Sequence, residues 1–328
     1  MYKINCRQFI VIATVVLCGI GFSCDLLGGV EDVGSGDFHF VVTSDCHMYG
    51  GHSNVFRDLT CKEIMNNPDG PGEFIIVNGD MDPFCRVKDA IEKVLIAPLK
   101  EQGREYGFYP VVGNHDLYNT CQVPEMNSEV PEKTQTRAII EYNKKNLKNI
   151  VNWGPDFDSA LLGYENNGSK YTNYSFDHED CHFVVIDLYY ANSIPARGCG
   201  NVDKTTVEWL ENDLQQNKKK KVFVFGHEPV VSYTTSSGKE ITGGMIDFHA
   251  AKLWDILKKY KVDVYFCGHV HSYGVIKKDG VTQINSGISA IVPNNTYVMV
   301  FVDDGKVTYK SYIFSNKTKK WEKFDGEV

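Results

Sequence analysis

The chain is predicted to adopt an α/β fold, on two regularities. Strand-type and helix-type segments alternate along it, and Asp, Asn and His residues able to hold a metal stand directly after several of the strand-type segments. In open α/β sheets, sites form beyond the carboxyl ends of the strands, so residues far apart in sequence would meet at one edge.

The elements follow in order. Phe38 to Ser44 is apolar and β-branched or aromatic and is read as a strand, followed by a helix at Asn54 to Asn66, a strand at Phe74 to Asn78, a helix at Arg86 to Lys100 and a strand at Gly107 to Val112. This is βαβαβ patterning. Thr134 to Leu147 reads as a helix, and Lys170 to Asp177 with Cys181 to Tyr189 alternate apolar and polar residues as a hairpin does. A helix at Lys204 to Gln216 leads to a strand at Lys221 to Phe225, and a helix at His249 to Tyr260 leads to a strand at Val262 to Cys267. The chain then continues as β-ribbons, turning at Lys278-Asp279-Gly280 and Asp303-Asp304-Gly305. Lys218 to Lys221 is read as a solvated helix end whose cations favour the C-terminal dipole. The polar segment Ser232 to Asp247 is either a cover over the site or a plain surface loop.

The chain has 328 residues, 42% of them hydrophobic and 23% charged, which allows a full core and excludes wholesale disorder. The blocks of candidate ligands are spread too widely to divide, so 38–328 is expected to be a single domain. A net charge of −8 argues against extended nucleic acid as a partner, while a local cationic site could still bind one phosphate group.

Lys3 and Arg7, the apolar stretch Phe9 to Phe22 and the small residues Gly21 and Ser23 resemble an export signal, so 1–23 is expected to be a signal peptide. Gly21-Phe22-Ser23-Cys24 is similar to a loose lipobox. On that reading Cys24 is lipidated, 24–37 is a flexible tether, and the membrane is a partner only through this anchor; cleavage to a soluble secreted protein is the alternative. Of ten cysteines, seven lie beyond Cys24, an odd number at irregular spacing, which argues against a dense disulfide framework.

The chemistry lies in five ordered blocks: Asp45-Cys46-His47, Gly79-Asp80, Gly113-Asn114-His115-Asp116, Gly226-His227 and Gly268-His269-Val270-His271. Together they read as a binuclear metal site. In an extended Asp-x-His the middle side chain points to the opposite face, which removes Cys46, and the i, i+2 spacing of His269 and His271 would turn both imidazoles to one face. His39, His52, His178, His182 and His249 stand outside any block and are read as structural or surface residues.

The order D-x-H, GD, GNHD, GH, GHxH resembles the calcineurin-like metallophosphoesterase superfamily, over roughly Phe38 to Phe314. The resemblance implies a four-layer α/β/β/α metallophosphoesterase sandwich, with mixed central sheets flanked by helices. It implies two metal ions, iron, manganese or zinc, the first held by Asp45, His47, Asp80 and His271 and the second by Asp80, Asn114, His227 and His269. Asp80 would bridge them, one carboxylate oxygen to each. By the same resemblance, His115 would protonate the leaving oxygen, Asp116 would orient His115 and raise its pKa, and a metal-bridging hydroxide would attack the phosphorus. Asn114, His115 and Arg197 are the candidate substrate contacts. Purple acid phosphatases carry a tyrosine three residues after the bridging aspartate. Here that position is Pro83 and His47 is present, so the chain resembles the D-x-H branch and no tyrosinate-iron colour is expected. The implied function is hydrolysis of a small phosphomonoester or diester. The alternatives are an exonuclease-like diesterase and a lipid-anchored binding or scaffold protein on the same fold.

Overall fold

The computed structural model describes residues 37–50, 54–117, 135–155, 170–189, 202–241, 250–290 and 294–328. The first half supplies β1 (Phe38–Thr43), a wide π turn (Phe56–Cys61) running into α1 (Lys62–Asn66), and β2 (Phe74–Asn78). Then come α2 (Phe84–Ile91), which continues through a second π turn into α3 (Ala97–Glu101), β3 (Gly107–Val111) and α4 (Gln135–Asn146). A central group follows with β4 (Ile150–Trp153), β5 (Tyr174–His178), β6 (Cys181–Val185), α5 (Lys204–Gln216) and β7 (Lys221–Phe225). The remainder comprises the short β8 (Tyr233–Thr234) and β9 (Glu240–Ile241), α6 (Ala250–Lys259), β10 (Val264–Cys267) and β11 (Gly274–Lys278). Last are β12 (Val281–Asn285), β13 (Thr296–Asp303), β14 (Lys306–Ser315) and β15 (Lys320–Glu327).

Two large mixed sheets result, with strand orders β15-β14-β13-β1-β2-β3 and β11-β12-β10-β7-β6-β5-β4. β1, β2 and β3 are parallel in the first, and β6, β7, β10 and β12 are parallel in the second. The ribbon strands join them antiparallel, as the turns at Gly280 and Gly305 lead one to expect.

The sheets face each other across an aromatic layer. Phe40 and Phe74 of the first sheet meet Phe183 of the second, with ring centroids 5.2 and 5.4 Å apart, and Phe40 also meets Phe223 at 5.4 Å. These four rings are at most 3% exposed, and full burial of each contributes roughly 1.5–3 kcal/mol. The helices cover the outer faces through a second cluster that includes Ile64, Val87, Leu95, Ile139, Leu210, Trp254 and Leu257. This is the four-layer arrangement that the family resemblance implies.

Several expectations change. The β4 strand had no counterpart in the alternation pattern, and the segment 232–241 carries the β8–β9 hairpin; residues 242–249 lie outside the described region. Lys221 belongs to a strand and pairs with Asp263 at 3.1 Å, while Lys219 donates to the Glu179 carbonyl, so the lysine run ties two elements together as well as being solvated. Cys46, Cys61, Cys85, Cys181 and Cys267 are free thiols.

Candidate metal centre

Parallel strands make one end of the molecule chemically distinct. β1, β2, β3, β7 and β10 each end two or three residues before a block residue: Asp45, Asp80, Asn114, His227 and His269 respectively. The sheets therefore deliver the blocks to one edge.

The backbone there is not extended. Asp45, His47, Asp80, His269 and His271 all have positive φ, between 31° and 68°. The extended i, i+2 readings of Asp45-Cys46-His47 and His269-Val270-His271 are thus corrected: both segments coil through left-handed conformations. Such residues cost on the order of 1–3 kcal/mol each and persist only where surrounding structure over-determines them. The determinants are visible. Asp45 N and Cys46 N donate to the carbonyls of Gly79 and Asp80, at 3.0 and 2.9 Å. Asp45 Oδ2 accepts from Ser44 Oγ at 2.5 Å and from His269 N at 3.0 Å. Asn285 donates to the Gly268 carbonyl at 2.6 Å, and a Cβ on Gly268 would collide with Ser44 Oγ and Asp45 Oδ2. Cys46 is fully buried in the hydrophobic core cluster and belongs to neither ligand cluster.

Two clusters form. Asp45, His47, Asp80 and His271 converge in one, and Asp80, His227 and His269 in the other, with Asn114 Oδ1 3.0 Å from His269 Nδ1. Asp80 belongs to both. Its Oδ1 accepts from His115 N at 2.8 Å, while Oδ2 lies 3.7 Å from His47 Nε2 and 3.3 Å from His227 Nε2. One oxygen, not two, faces both clusters, because the backbone of the Asn-His block has taken the other.

The donor set fits cations. His47 Nε2 and His271 Nε2 approach to 3.1 Å, and Asp45 Oδ1 lies 3.0 Å from His271 Nε2. His227 donates from Nδ1 to the Asn78 carbonyl at 2.7 Å, which leaves Nε2 turned toward Asp80. Asp45 Oδ1 and His227 Nε2 are buried and make no well-aligned hydrogen bond, each facing another candidate ligand, His271 Nε2 at 3.0 Å and Asp80 Oδ2 at 3.3 Å, an arrangement that is costly unless a cation satisfies them. The field is equally suited. Burial pushes the Asp45 carboxyl up, but His271, His227 and His47 hold it well below the usual carboxylate range. Burial opposes charge on His227, yet Asp80 raises its pKa to about 10, and a field that favours a proton there also favours a metal. Burial and His227 lower His269 to about 4, the neutral form that ligates.

His115 is half exposed beside this centre, its ring 4.8 Å from that of His47. Its carboxylate partner is Asp82. Asp82 Oδ2 faces His115 Nδ1 at 3.6 Å, and Asp82 Oδ1 hydrogen-bonds His47 Nδ1 at 2.6 Å. Asp82 outweighs burial and, with Asp80 and Asp116 adding to it, raises the His115 pKa to about 9. The orienting role expected of Asp116 is therefore corrected. Asp116 points backwards and accepts from the backbone N–H groups of Asp80, Met81 and Gly113, at 3.0, 2.9 and 2.8 Å. It locks the Gly-Asp turn to the Gly-Asn-His turn. Asp82 was missed, although a second carboxylate two residues after Asp80 is legible in the Gly79-Asp80-Met81-Asp82 string. Arg197 lies outside the described residues.

Two mixed sheets whose parallel strands deliver a shared carboxylate between two His-rich clusters define a metallophosphoesterase-type site, and comparison with known proteins agrees. The calcineurin-like phosphoesterase family model matches residues 38–273, and the chain belongs to that family. It is 27% identical over 231 residues to the human cyclic GMP-AMP phosphodiesterase SMPDL3A (Homo sapiens), covering 65% of this chain and 46% of that protein. The Bos taurus counterpart is 25% identical over 273 residues, covering 72% and 56%. An acid phosphatase of Aspergillus ficuum is 30% identical over 174 residues, covering 42% and 27%. The chain spans about half the length of the SMPDL3A relatives it matches. Among solved structures, purple acid phosphatase PPD1 from yellow lupin (Lupinus luteus) shares the fold with TM-score 0.51 at 10% identity, covering 89% of this chain and 54% of that one. GAP50, the anchor in the inner membrane complex of Plasmodium, does so with TM-score 0.50 at 15% identity, covering 89% and 88%.

Proposed function

We propose that this chain hydrolyses phosphate esters, with two divalent cations held by Asp45, His47, Asp80 and His271 on one side and by Asp80, Asn114, His227 and His269 on the other. The observation that carries the reading is Asp80 Oδ2 facing both clusters while Asp80 Oδ1 holds the His115 backbone beside them. Bound cations of the iron, manganese or zinc type supply neutralisation of the phosphate oxygens and acidify water. The chain's own residues do the rest. Asn114 and His115 orient the phosphate. His115, whose proton Asp82 favours, keeps Nδ1–H toward that carboxylate and presents Nε2–H to the leaving oxygen, to which it gives a proton. The similarity to cyclic GMP-AMP phosphodiesterases supports a nucleotide diester among the substrates, and the similarity to an acid phosphatase supports monoesters.

The test is hydrolysis of p-nitrophenyl phosphate and bis-p-nitrophenyl phosphate by the full chain with manganese, zinc or iron, against a chelated control. Chelator-sensitive turnover supports the proposal, and the faster ester separates monoesterase from diesterase. Bound metal without turnover of either ester, or of cyclic GMP-AMP, would instead favour a binding or scaffold role.

We also propose export with a lipid anchor at Cys24, which rests on the Lys3, Arg7, Phe9 to Phe22 and Ser23-Cys24 pattern. Metabolic labelling with a fatty acid, lost on Cys24→Ser, would support it. No described helix is long and apolar enough to cross a membrane.

A further inference from the structure

Tyr49 borders the ligand cluster, and no step proposed above uses it. Among the described residues the exposed large hydrophobic side chains are Tyr49, Val151 and Phe324, and of these Tyr49 stands at the metal centre. The residue is 44% exposed, and its ring meets the His47 imidazole edge-on, at 5.6 Å between centroids.

The segment that carries it is fixed. Cys46 and Met48, at 0% and 3% exposure, are packed in the hydrophobic core cluster, while Asp45 and His47 belong to the ligand cluster. Tyr49 N donates to the His47 carbonyl at 2.8 Å, and the Arg86 guanidinium donates to the Met48 carbonyl at 3.2 Å. A ring held on fixed backbone loses little freedom when a second ring stacks on it, which is where such side chains gain affinity.

We infer that Tyr49 is the stacking platform for a planar aromatic ring carried by the phosphate ester, a nucleobase or a directly attached aryl group. The inference rests on the phosphoesterase reading and names its substrate class.

The test compares wild type, Tyr49→Phe and Tyr49→Ala on adenosine 5′-monophosphate, p-nitrophenyl phosphate and glycerol 3-phosphate, which has no ring. Loss of a stacked base raises KM roughly 5- to 150-fold. Tyr49→Ala should show that rise on one or both ring-bearing esters, with kcat and the glycerol phosphate KM unchanged and Tyr49→Phe close to wild type. A rise confined to the nucleotide identifies a nucleobase, and one confined to the aryl ester identifies an aryl group. Equal changes on all three esters, or none, would overturn the inference. A binding arm separates it from the failure of the catalytic reading. Calorimetric titration with adenosine 5′-monophosphate, phenyl phosphate and inorganic phosphate needs no turnover. Tyr49→Ala should weaken a ring-bearing ligand and leave phosphate unchanged. Wild-type binding that does not favour either ring-bearing ligand over phosphate sinks the platform, whether or not the esters are hydrolysed.

Discussion

Replacing Asp116 separates a structural clamp from an activator of His115. Its carboxylate receives backbone N–H groups from Asp80, Met81 and Gly113, Oδ2 taking Asp80 and Gly113 and Oδ1 taking Met81. All of this is buried. Each buried donor left without an acceptor costs about 1–3 kcal/mol. Asp116→Ala orphans all three donors, roughly 3–9 kcal/mol, which is comparable with a domain's whole stability of about 5–15 kcal/mol. Asp116→Asn is the working variant. With its oxygen in place of Oδ2 it keeps two of the bonds and sets an amide donor against Met81 N–H, for a loss of about 1–3 kcal/mol. Urea unfolding with chelator present, so that metal linkage does not contribute, measures the difference directly. The reasoning is refuted if Asp116→Asn unfolds within about 0.5 kcal/mol of wild type while the pH limb of turnover moves at least as far as it does in Asp82→Asn. That outcome would restore Asp116 as the partner of His115.

Three further predictions concern charge. Asp80→Ala should abolish binding at both clusters, since Oδ2 faces each; metal analysis giving one tightly bound ion would show that the clusters are independent. Asp82→Asn should move the basic limb of kcat to lower pH, because the His115 proton is favoured chiefly by Asp82; bound cations depress the His115 pKa in both proteins, so the displacement is the quantity compared. An unmoved limb with metal lost would mean that Asp82 acts only by holding His47. At the opposite end of the second sheet, His182 is buried between Asp213 at 2.8 Å and Asp177 at 2.7 Å; burial opposes its charge, yet the two carboxylates raise its pKa above 6.5. A raised folded-state pKa stabilises fully below the unfolded value and is lost as pH rises through the folded one. The stability cost of His182→Gln, from urea curves at pH 5.5 and 9, should therefore be larger at the lower pH, and equal costs would refute the linkage.

The ligand inventory was legible because metal chemistry restricts residue types and parallel strands place them locally: each block follows its strand within three residues. The strands were legible because inward positions such as Phe40, Phe74, Phe183 and Phe223 had to be apolar to fill the layer between sheets. The β4 strand was not, since Ile150 to Trp153 sits at a sheet edge with an exposed Val151 and no strong alternation. Lysine at a helix end and lysine at the start of a strand carry the same local signal, so the structural ties of Lys219 and Lys221 were hidden as well.

By itself the sequence determined the α/β class and the order of most of the elements, which depend on residue type and short-range spacing, and its five ordered blocks supplied the seven candidate ligands through the family resemblance they carry. Only the tertiary structure decided the left-handed turns at Asp45, His47, Asp80, His269 and His271, the single Asp80 oxygen facing both clusters, and the pairing of His115 with Asp82 rather than Asp116. The physical reason is that a side chain's direction at a turn is set by hydrogen bonds from elsewhere in the chain. Asp116 turns inward because Asp80, Met81 and Gly113 present three N–H groups to it, and adjacency in sequence to His115 exerts no comparable pull.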